Sequence, residues 1–287
     1  MKFALVALWP AGLAVIFATA LIWSRQIGPD AARLTPGTPG GRHSGYQPRP
    51  GWLSGSWPIS AARITGLVLI GAAVVYGVMG LLGLLVVNHG GVIDHPVYTW
   101  TTHHWVHGWV RVMDRLTKLG DTWTCWAAAA AAAVCLSVTW RTRRWLPPIV
   151  LAACMFADHY TTLALRHTFH RLGPPDSPLG TYPSGGCDRS VLFSGLIAYL
   201  LWREFSGERK AAIWAGSTVA ALGFNEAYSR VYLTLHWFTD ALGGLLYGAL
   251  LLAVFIVAIR FVAGPAGGRP GRRPTGDESA RTSEAVA

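Results

Sequence analysis

The sequence predicts an all-α fold, a polytopic membrane helical bundle, and three observations support this prediction. Of the 287 residues, 52% are hydrophobic and only 13% are charged, a balance more typical of a protein with several membrane spans than of a soluble domain. Runs of about 20 apolar residues, the length that crosses a hydrocarbon core, recur along the chain. The charged residues are gathered in short clusters between these runs.

Seven apolar runs are candidate membrane spans. They lie at 3–23, 64–87, 122–140, 147–165, 188–205, 211–228 and 239–262. The first run follows Met1-Lys2 as a signal peptide would, but its apolar core is long and its cleavage signals are indistinct, so we expect a retained span. The predicted parts are an N-terminal transmembrane helix at 1–23, a flexible cytoplasmic loop at 24–63, a six-span domain at 64–262 and a disordered cytoplasmic tail at 263–287.

Clusters of arginine and lysine predict the orientation. They follow the third, fifth and seventh spans, so these ends should be cytoplasmic. By alternation, the segments 88–121, 166–187 and 229–240 lie at the outer face of the cell membrane. Some basic residues break the rule by falling outside, and a functional use for some of them would explain the exception. These are Arg111, Arg115, Lys118, Arg166 and Arg171.

The net charge of +10 does not indicate a nucleic-acid-binding protein. The basic residues are spread over juxtamembrane loops rather than gathered on one soluble face. Anionic lipid headgroups are the counterpart that such positions favour. The predicted partners are therefore the lipid bilayer and a membrane lipid, with no nucleic acid.

Segment 97–118 is predicted to form one helix on the outer surface. Its apolar residues, from Trp105 to Leu116, fall on one helical stripe, as in a helix that lies at an interface. His103 and His107 are spaced i, i+4 within it and could both contact a metal ion. No third ligand is apparent in the sequence, so a solvated interfacial helix is the favoured interpretation.

The segment 229–240 carries the reactive side chains. His236 and Asp240 are four residues apart, so on one helical face the carboxylate would hold the imidazole in a single tautomer and make the opposite nitrogen nucleophilic. Arg230 offers a planar fork suited to phosphate oxygens, and the Ser229 hydroxyl lies beside it. This pattern predicts chemistry on a phosphate group.

These residues resemble the type 2 phosphatidic acid phosphatases, or lipid phosphate phosphatases, whose soluble relatives include vanadium haloperoxidases. The third motif of that family, Ser-Arg, five residues, His, three residues, Asp, is complete at 229–240. Its second motif, Pro-Ser-Gly-His, appears as Pro-Ser-Gly-Gly at 183–186. Its first motif, Lys, six residues, Arg-Pro, appears as Arg, six residues, Gly-Pro at 166–174. The resemblance covers about 64–262.

The resemblance implies a six-helix phosphatase core with an extra N-terminal span, and it implies roles for individual residues. His236 would attack phosphorus to give a phosphohistidine, which water then cleaves, and Asp240 would orient it. Phosphate oxygens would be held by charged groups and by backbone amides at a helix start. The residues concerned are Arg166, Arg230, Ser184 and Gly185. The mechanism needs no metal and no cofactor.

Two positions depart from the family pattern. Gly186 stands where the family has the histidine that protonates the leaving group, and Gly173 stands where it has an arginine. We expect Arg171 to compensate for the second change, and Arg189 to fill the space beside Gly186 with positive charge. His167 and His170 are alternative donors of the missing proton.

Several of these residues also have a purely structural interpretation. Ser184 and Gly185 could only cap a helix, and Arg166 could be an interfacial anchor. Asp158 and His159 interrupt the fourth span and favour a proton path, a substrate contact or a structural pairing equally. Glu226 lies four residues before Arg230, which predicts a salt bridge within a helix.

The basicity of the leaving group determines which substrate we expect. An alkoxide is about as basic as hydroxide, whose parent water has a pKa of about 15.7, whereas phosphate has a second pKa of about 6. Loss of a general acid therefore harms diphosphate cleavage less. The sequence predicts a phosphatase for lipid phosphates or diphosphates, with a polyprenyl diphosphate favoured. The alternatives are a lipid phosphotransferase, and a non-catalytic lipid-phosphate-binding or transport protein.

Overall fold

The computed structural model describes residues 4–26, 57–139, 144–175, 177, 182–206 and 208–263, and these residues form helices and loops without a β-strand. The α-helices are α1 (Ala4–Gln26), α2 (Trp57–His89), α3 (Gly91–His103), α4 (His107–Leu116), α5 (Thr122–Thr139), α6 (Leu146–Phe169), α7 (Gly185–Leu201), α8 (Arg209–Tyr232) and α9 (Phe238–Ala263). A 3-10 turn (Thr117–Gly120) follows α4, and a π-helical turn (Trp202–Ser206) follows α7. The prediction of an all-α membrane bundle is confirmed.

Five helices of the described part are long and apolar enough to cross a membrane. Their apolar stretches are Val6–Ser24, Ile70–His89, Thr122–Thr139, Leu146–Phe169 and Phe238–Phe261. The other two predicted spans, 188–205 and 211–228, coincide with α7 and α8, which do not meet this measure. Helix α7 has only 17 residues, and α8 carries a polar second half that is partly buried. The length of α7 and the polar residues of α8 therefore separate these two helices, which lie next to the site, from the other five.

Helix α7 lies at the centre of the bundle and packs closely against α9. Ten of its 17 residues are buried, and glycines bring the two backbones together. A Cβ at Gly248 would lie 2.5 Å from the Asp188 carbonyl oxygen, and one at Gly195 would lie 2.3 Å from the Leu252 side chain. Small residues at such contacts permit close helix packing in a membrane.

Helix α1, the extra N-terminal span, packs against α8. Trp9 Nε1 donates a hydrogen bond to Asn225 Oδ1 at 3.1 Å, and Gly12 lies against the Phe224 ring. Most of the predicted loop at 24–63 and nearly all of the tail at 263–287 lie outside the described residues. Helix α2 begins at Trp57, so the last seven residues assigned to that loop are helical.

The prediction of one continuous helix over 97–118 is wrong. The chain leaves the helix after His103 and resumes it at His107. Contacts with a residue far along the chain hold this break in place. Trp105 Nε1 donates to the Tyr232 carbonyl oxygen at 2.6 Å, and the Val106 N–H donates to the Tyr232 hydroxyl at 3.0 Å. The local sequence pattern of 97–118 does not indicate these contacts with the end of α8.

Candidate active site

The three motif segments meet at one end of the bundle, which we call the site end. Helices α6 and α8 end there, and α7 and α9 begin there. The backbone N–H of Ser184, in the second motif, donates to the carbonyl oxygen of Asp240, in the third motif, at 3.1 Å. The Pro-Ser-Gly turn is thus joined directly to the first turn of α9.

Glycines of α9 allow this close contact. A Cβ at Gly244 would lie 2.4 Å from the Ser184 carbonyl oxygen, and one at Gly243 would lie 2.6 Å from the Tyr182 ring. Tyr182 is buried in the loop before α7, and its hydroxyl donates to the Met79 carbonyl at 3.3 Å. Burial raises the pKa of Tyr182 to about 12, so the phenol stays neutral and keeps this donor.

His236 and Asp240 do not share one helical face as predicted. The chain turns sharply after α8, with Thr234 in the left-handed region at φ 53°, and His236 lies in the loop before α9. Asp240 is the third residue of α9, and its Oδ2 accepts the Trp237 backbone N–H at 3.3 Å. The Asp240 carboxylate therefore caps the start of α9, as the acidic residue of a capping box does. The half-buried His236 imidazole lies four residues before it.

Arg171 lies between two buried carboxylates. Its Nη1 donates to Asp240 Oδ1 and, at 3.0 Å, to the Thr239 hydroxyl, while its Nη2 donates to Asp94 Oδ2 at 2.5 Å. Asp94 and Asp240 are 1% and 0% exposed. We call Asp94, Arg171, Thr239 and Asp240 the α9 cluster.

Asp94 also holds the start of α9. Its Oδ1 accepts the Thr239 backbone N–H at 2.9 Å, and its Oδ2 accepts the Thr239 hydroxyl at 2.7 Å. A carboxylate at a helix N-terminus satisfies backbone donors and complements the helix dipole. The α9 cluster therefore fixes the loop after α6, helix α3 and the start of α9 around the Asp240 carboxylate. We expected Arg171 to take the place of a phosphate-binding arginine, but its guanidinium group is paired with these two carboxylates.

Two other predicted arginines converge on Gly185. A Cβ on this residue would lie 2.8 Å from Arg166 Nη2 and 2.9 Å from Arg189 Nη1. Arg189 Nε is held by the Gly120 carbonyl oxygen at 3.2 Å. Two guanidinium groups thus lie against the N-terminus of α7, whose first N–H groups have no acceptor within the helix. Together they form a positive cradle suited to phosphate oxygens.

The space beside Gly186 is filled by a carboxyl group and a guanidinium group. A Cβ there would lie 2.5 Å from Glu226 Oε1 and 2.6 Å from Arg230 Nη2. The expectation that Arg189 fills this space is therefore corrected, because Arg189 lies against Gly185 instead. The predicted pair within α8 is confirmed, with Arg230 Nε donating to Glu226 Oε1 at 2.7 Å.

Further contacts hold the pair in place. Glu226, 0% exposed, accepts the Thr117 hydroxyl on Oε1 and the Gly120 N–H on Oε2, each at 3.2 Å. Arg230 Nη2 reaches Asp121 Oδ1 at 2.9 Å, and Asp121 is 50% exposed. We call Thr117, Gly120, Asp121, Glu226 and Arg230 the α8 cluster.

The remaining predicted residues lie near these clusters with different contacts. Ser184 is fully buried, and the Ser229 hydroxyl donates to the Glu226 carbonyl oxygen within α8 at 2.9 Å. His167 and His170 are exposed. Asp158 is buried inside the bundle.

Five polar residues of the site were missed by sequence reasoning. They are Asp94, Thr117, Asp121, Asp188 and Thr239. Asp188 is fully buried one turn below Ser184 and accepts the Thr162 hydroxyl at 3.2 Å. Only its place at the first position of the fifth predicted span could have drawn attention to it, because ionisable groups in a membrane span are costly.

Among the described residues, no group of three histidine, cysteine or acidic side chains is arranged to hold a metal ion. The site combines an imidazole four positions before a buried carboxylate, three arginines and a helix N-terminus. Such an arrangement can hold an anion and attack it with a ring nitrogen.

Comparisons with known proteins agree with this arrangement. The sequence model of the PAP2 superfamily matches residues 122–262. A protein of Escherichia coli (strain K12) with the name "Putative undecaprenyl-diphosphatase YbjG" is 39% identical over 61 residues, which are 21% of this chain and 27% of that protein. The match therefore spans about a quarter of that relative.

The fold also matches a solved structure. The crystal structure of a transmembrane PAP2-type phosphatidylglycerolphosphate phosphatase from Bacillus subtilis aligns with a TM-score of 0.58. The alignment covers 65% of this chain and 94% of that chain, at 19% sequence identity. At this identity the likeness shows a shared fold.

Proposed function

We propose that this chain, whose residues 122–262 match the PAP2 superfamily, is a membrane phosphatase that hydrolyses a lipid phosphate or diphosphate through a phosphohistidine at His236. The observation that supports this most is the hydrogen bond from the Ser184 N–H to the Asp240 carbonyl oxygen. It joins the loop that carries the nucleophile to the helix N-terminus where Arg166 and Arg189 converge.

The chemistry follows in two steps. The His236 ring nitrogen attacks phosphorus, a P–N bond forms, and the bond between phosphorus and the leaving oxygen breaks. Asp240, held by Arg171 and the start of α9, stabilises the imidazolium that results. A water molecule then attacks phosphorus, the P–N bond breaks, and inorganic phosphate leaves.

The arginines hold the phosphate during both steps. Arg166 and Arg189 contact its oxygens from the Gly185 side, Arg230 from the Gly186 side, and the first N–H groups of α7 complete the cradle. Charge that develops on the phosphate oxygens is stabilised by donors that are already in place, which is the largest single contribution in many enzymes.

A groove next to this cradle supports a lipid substrate. It has a volume of about 620 Å³, and apolar residues of α5, α7 and α8 line most of it. On α7 its lining begins at Arg189 and continues through Phe193 and Ile197 to Leu201, and Phe205 of the π-helical turn follows. The twelve steps of α-helix from Arg189 to Leu201 rise about 18 Å, so a hydrocarbon tail of similar length fits beside α7 while its headgroup stays at Arg189.

We further propose that a diphosphate lipid, such as a polyprenyl diphosphate, is preferred. Gly186 supplies no imidazole, and a phosphate leaving group depends less than an alkoxide does on any other proton donor that takes its place. The name of the Escherichia coli relative, a putative undecaprenyl-diphosphatase, favours the same substrate class. The reaction is assigned to the outer face of the cell membrane, because the basic clusters of the sequence favour a cytoplasmic position for the opposite ends of the spans.

Gly186 also favours a second candidate, a non-catalytic protein that binds or transports a lipid phosphate. Such a protein would keep the anion cradle without turnover. A lipid phosphotransferase would use the same phosphohistidine with an alcohol in place of water.

Phosphate release tests the proposal. Purified protein in detergent is incubated with a polyprenyl diphosphate and with phosphatidate, beside the His236→Ala variant. We expect release from both, faster from the diphosphate, and loss of both in the variant. Binding without turnover would support the non-catalytic candidate, transfer to an added alcohol would support the phosphotransferase, and release that survives the substitution would exclude His236 as the nucleophile.

A further inference from the structure

Gly186 and Gly120 make room for one buried carboxyl group. The two glycines come from different segments, and a Cβ on either of them would lie 2.5 Å from Glu226 Oε1. A Cβ at Gly120 would also lie 2.7 Å from the Gly186 carbonyl oxygen. A side chain at position 186 and the Glu226 carboxyl group therefore exclude each other.

We propose that Glu226 is the proton donor to the leaving group, in the place of the side chain that Gly186 lacks. This inference rests on the proposed function and identifies a catalytic residue of the same site. The carboxyl group lies where a side chain from position 186 would begin, and Thr117 and the Gly120 N–H fix its orientation.

Arg230 links this carboxyl group to the phosphate. Its Nε donates to Glu226 Oε1, and its Nη2 donates to the half-exposed Asp121. Phosphate oxygens that bind Arg230 compete for these N–H groups and bring negative charge next to a fully buried carboxylate. Two anions side by side disfavour the ionised form of one of them, so Glu226 takes the proton of an incoming phosphate monoanion.

Glu226 releases every proton that it takes up during one turnover. Glu226 receives the proton from the P–OH group of the substrate, and His236 then attacks phosphorus. As the bond to the leaving oxygen breaks, the Glu226 proton passes to that oxygen. In the second step water attacks the phosphohistidine and gives a proton to the Glu226 carboxylate, which returns it to the departing phosphate.

The dependence on the leaving group separates this role from a structural one. A proton donor accelerates loss of a basic alkoxide strongly and loss of a phosphate weakly. A residue that only positions Arg230 affects both substrates alike, because both bind Arg230 through a phosphate group. The ratio of the two turnover rates, measured on one protein preparation, does not depend on how much of a variant is folded.

The experiment compares Glu226→Gln with Asp121→Asn on phosphatidate and on a polyprenyl diphosphate. For Glu226→Gln we expect phosphatidate turnover to fall by about 10²–10⁴-fold, and diphosphate turnover to fall by less than about 10-fold. Asp121→Asn removes the other carboxylate partner of Arg230 and should change the turnover of the two substrates by the same factor. Equal losses on the two substrates in Glu226→Gln, or no loss, would overturn the proposal.

A rescue variant gives an independent measurement. The Gly186→His substitution introduces the motif histidine, and a Glu226→Ala background removes the carboxyl group from its place, so that only the end of the Arg230 side chain has to shift. We expect this double variant to restore phosphatidate turnover over Glu226→Ala alone, and an unchanged rate would count against Glu226 as the donor. Wild-type protein that releases no phosphate from either lipid would contradict the proposed function itself, which is a different outcome.

Discussion

The α9 cluster and the α8 cluster share one design, an arginine between two carboxylates, but they differ in exposure. Arg171 lies between Asp94 and Asp240, which are 1% and 0% exposed. Arg230 lies between Glu226, which is fully buried, and Asp121, which is 50% exposed.

This difference assigns the two arginines to different tasks. Separating Arg171 from either partner would leave an unpaired charge inside the protein, which is strongly unfavourable. Arg230 can release Asp121 to water at little cost, which would free its guanidinium group for a phosphate. In the proposed function, the first cluster therefore orients the nucleophile, and the second exchanges a carboxylate for the substrate.

The largest effect is expected for Asp240→Asn. The amide keeps the size of the side chain but removes the negative charge that, in the proposed mechanism, stabilises an imidazolium at His236. By analogy with the carboxylate of a Ser-His-Asp triad, turnover should fall by about 10⁴-fold. The measurement is phosphate release at saturating lipid, with circular dichroism to confirm the helical fold. A loss below tenfold would show that the carboxylate does not act on the histidine.

Arg171→Gln should mainly reduce stability. It leaves two buried carboxylates without their shared cation, so the free energy of unfolding should fall by about 3–5 kcal/mol. Thermal unfolding in detergent measures the change, with Arg115→Gln, an exposed arginine of α4, as the matched control. Equal unfolding temperatures for the two variants would contradict a structural role for the α9 cluster.

Gly186→Ala tests the close packing of the α8 cluster. The added methyl group would lie 2.5 Å from Glu226 Oε1 and 2.6 Å from Arg230 Nη2, and overpacking of this kind costs about 1–3 kcal/mol. Gly77→Ala is the control, because a Cβ there has no neighbour within 4 Å. Should both variants unfold alike, the space beside Gly186 would be open rather than filled.

The smallest effect on stability is expected for Asp121→Asn. Because Asp121 is half exposed, its ion pair with Arg230 should contribute only about 0–1 kcal/mol. Asp114→Asn, which removes an exposed i, i+4 partner of Lys118, is the comparison in the same unfolding assay. A loss as large as that of Arg171→Gln would remove the distinction between the two clusters.

Much of the fold could be predicted from the sequence because its signals are local. Apolar runs gave the positions of the long helices, and the i, i+4 spacing of Glu226 and Arg230 gave their ion pair. The break between α3 and α4 could not be predicted, because contacts with Tyr232, more than 120 positions away along the chain, hold it in place.

The residues of the site could likewise be predicted only where their signal is local. The spacing within 229–240 identified His236 and Asp240, but it suggested one helix where the chain turns at Thr234. Asp94 was missed because its partners Arg171 and Thr239 are 77 and 145 positions away. That Glu226 fills the space beside Gly186 follows from the packing of α7 against α8, which no local pattern contains.

Detection of the covalent intermediate would establish whether His236 is the nucleophile. Protein is mixed with a lipid diphosphate labelled in its terminal phosphate, quenched in alkali within one turnover, digested and analysed by mass spectrometry. We expect an acid-labile, alkali-stable phosphoryl group on His236, absent from His236→Ala. Label on another residue, or turnover in which no labelled protein forms while His236→Ala remains active, would contradict it.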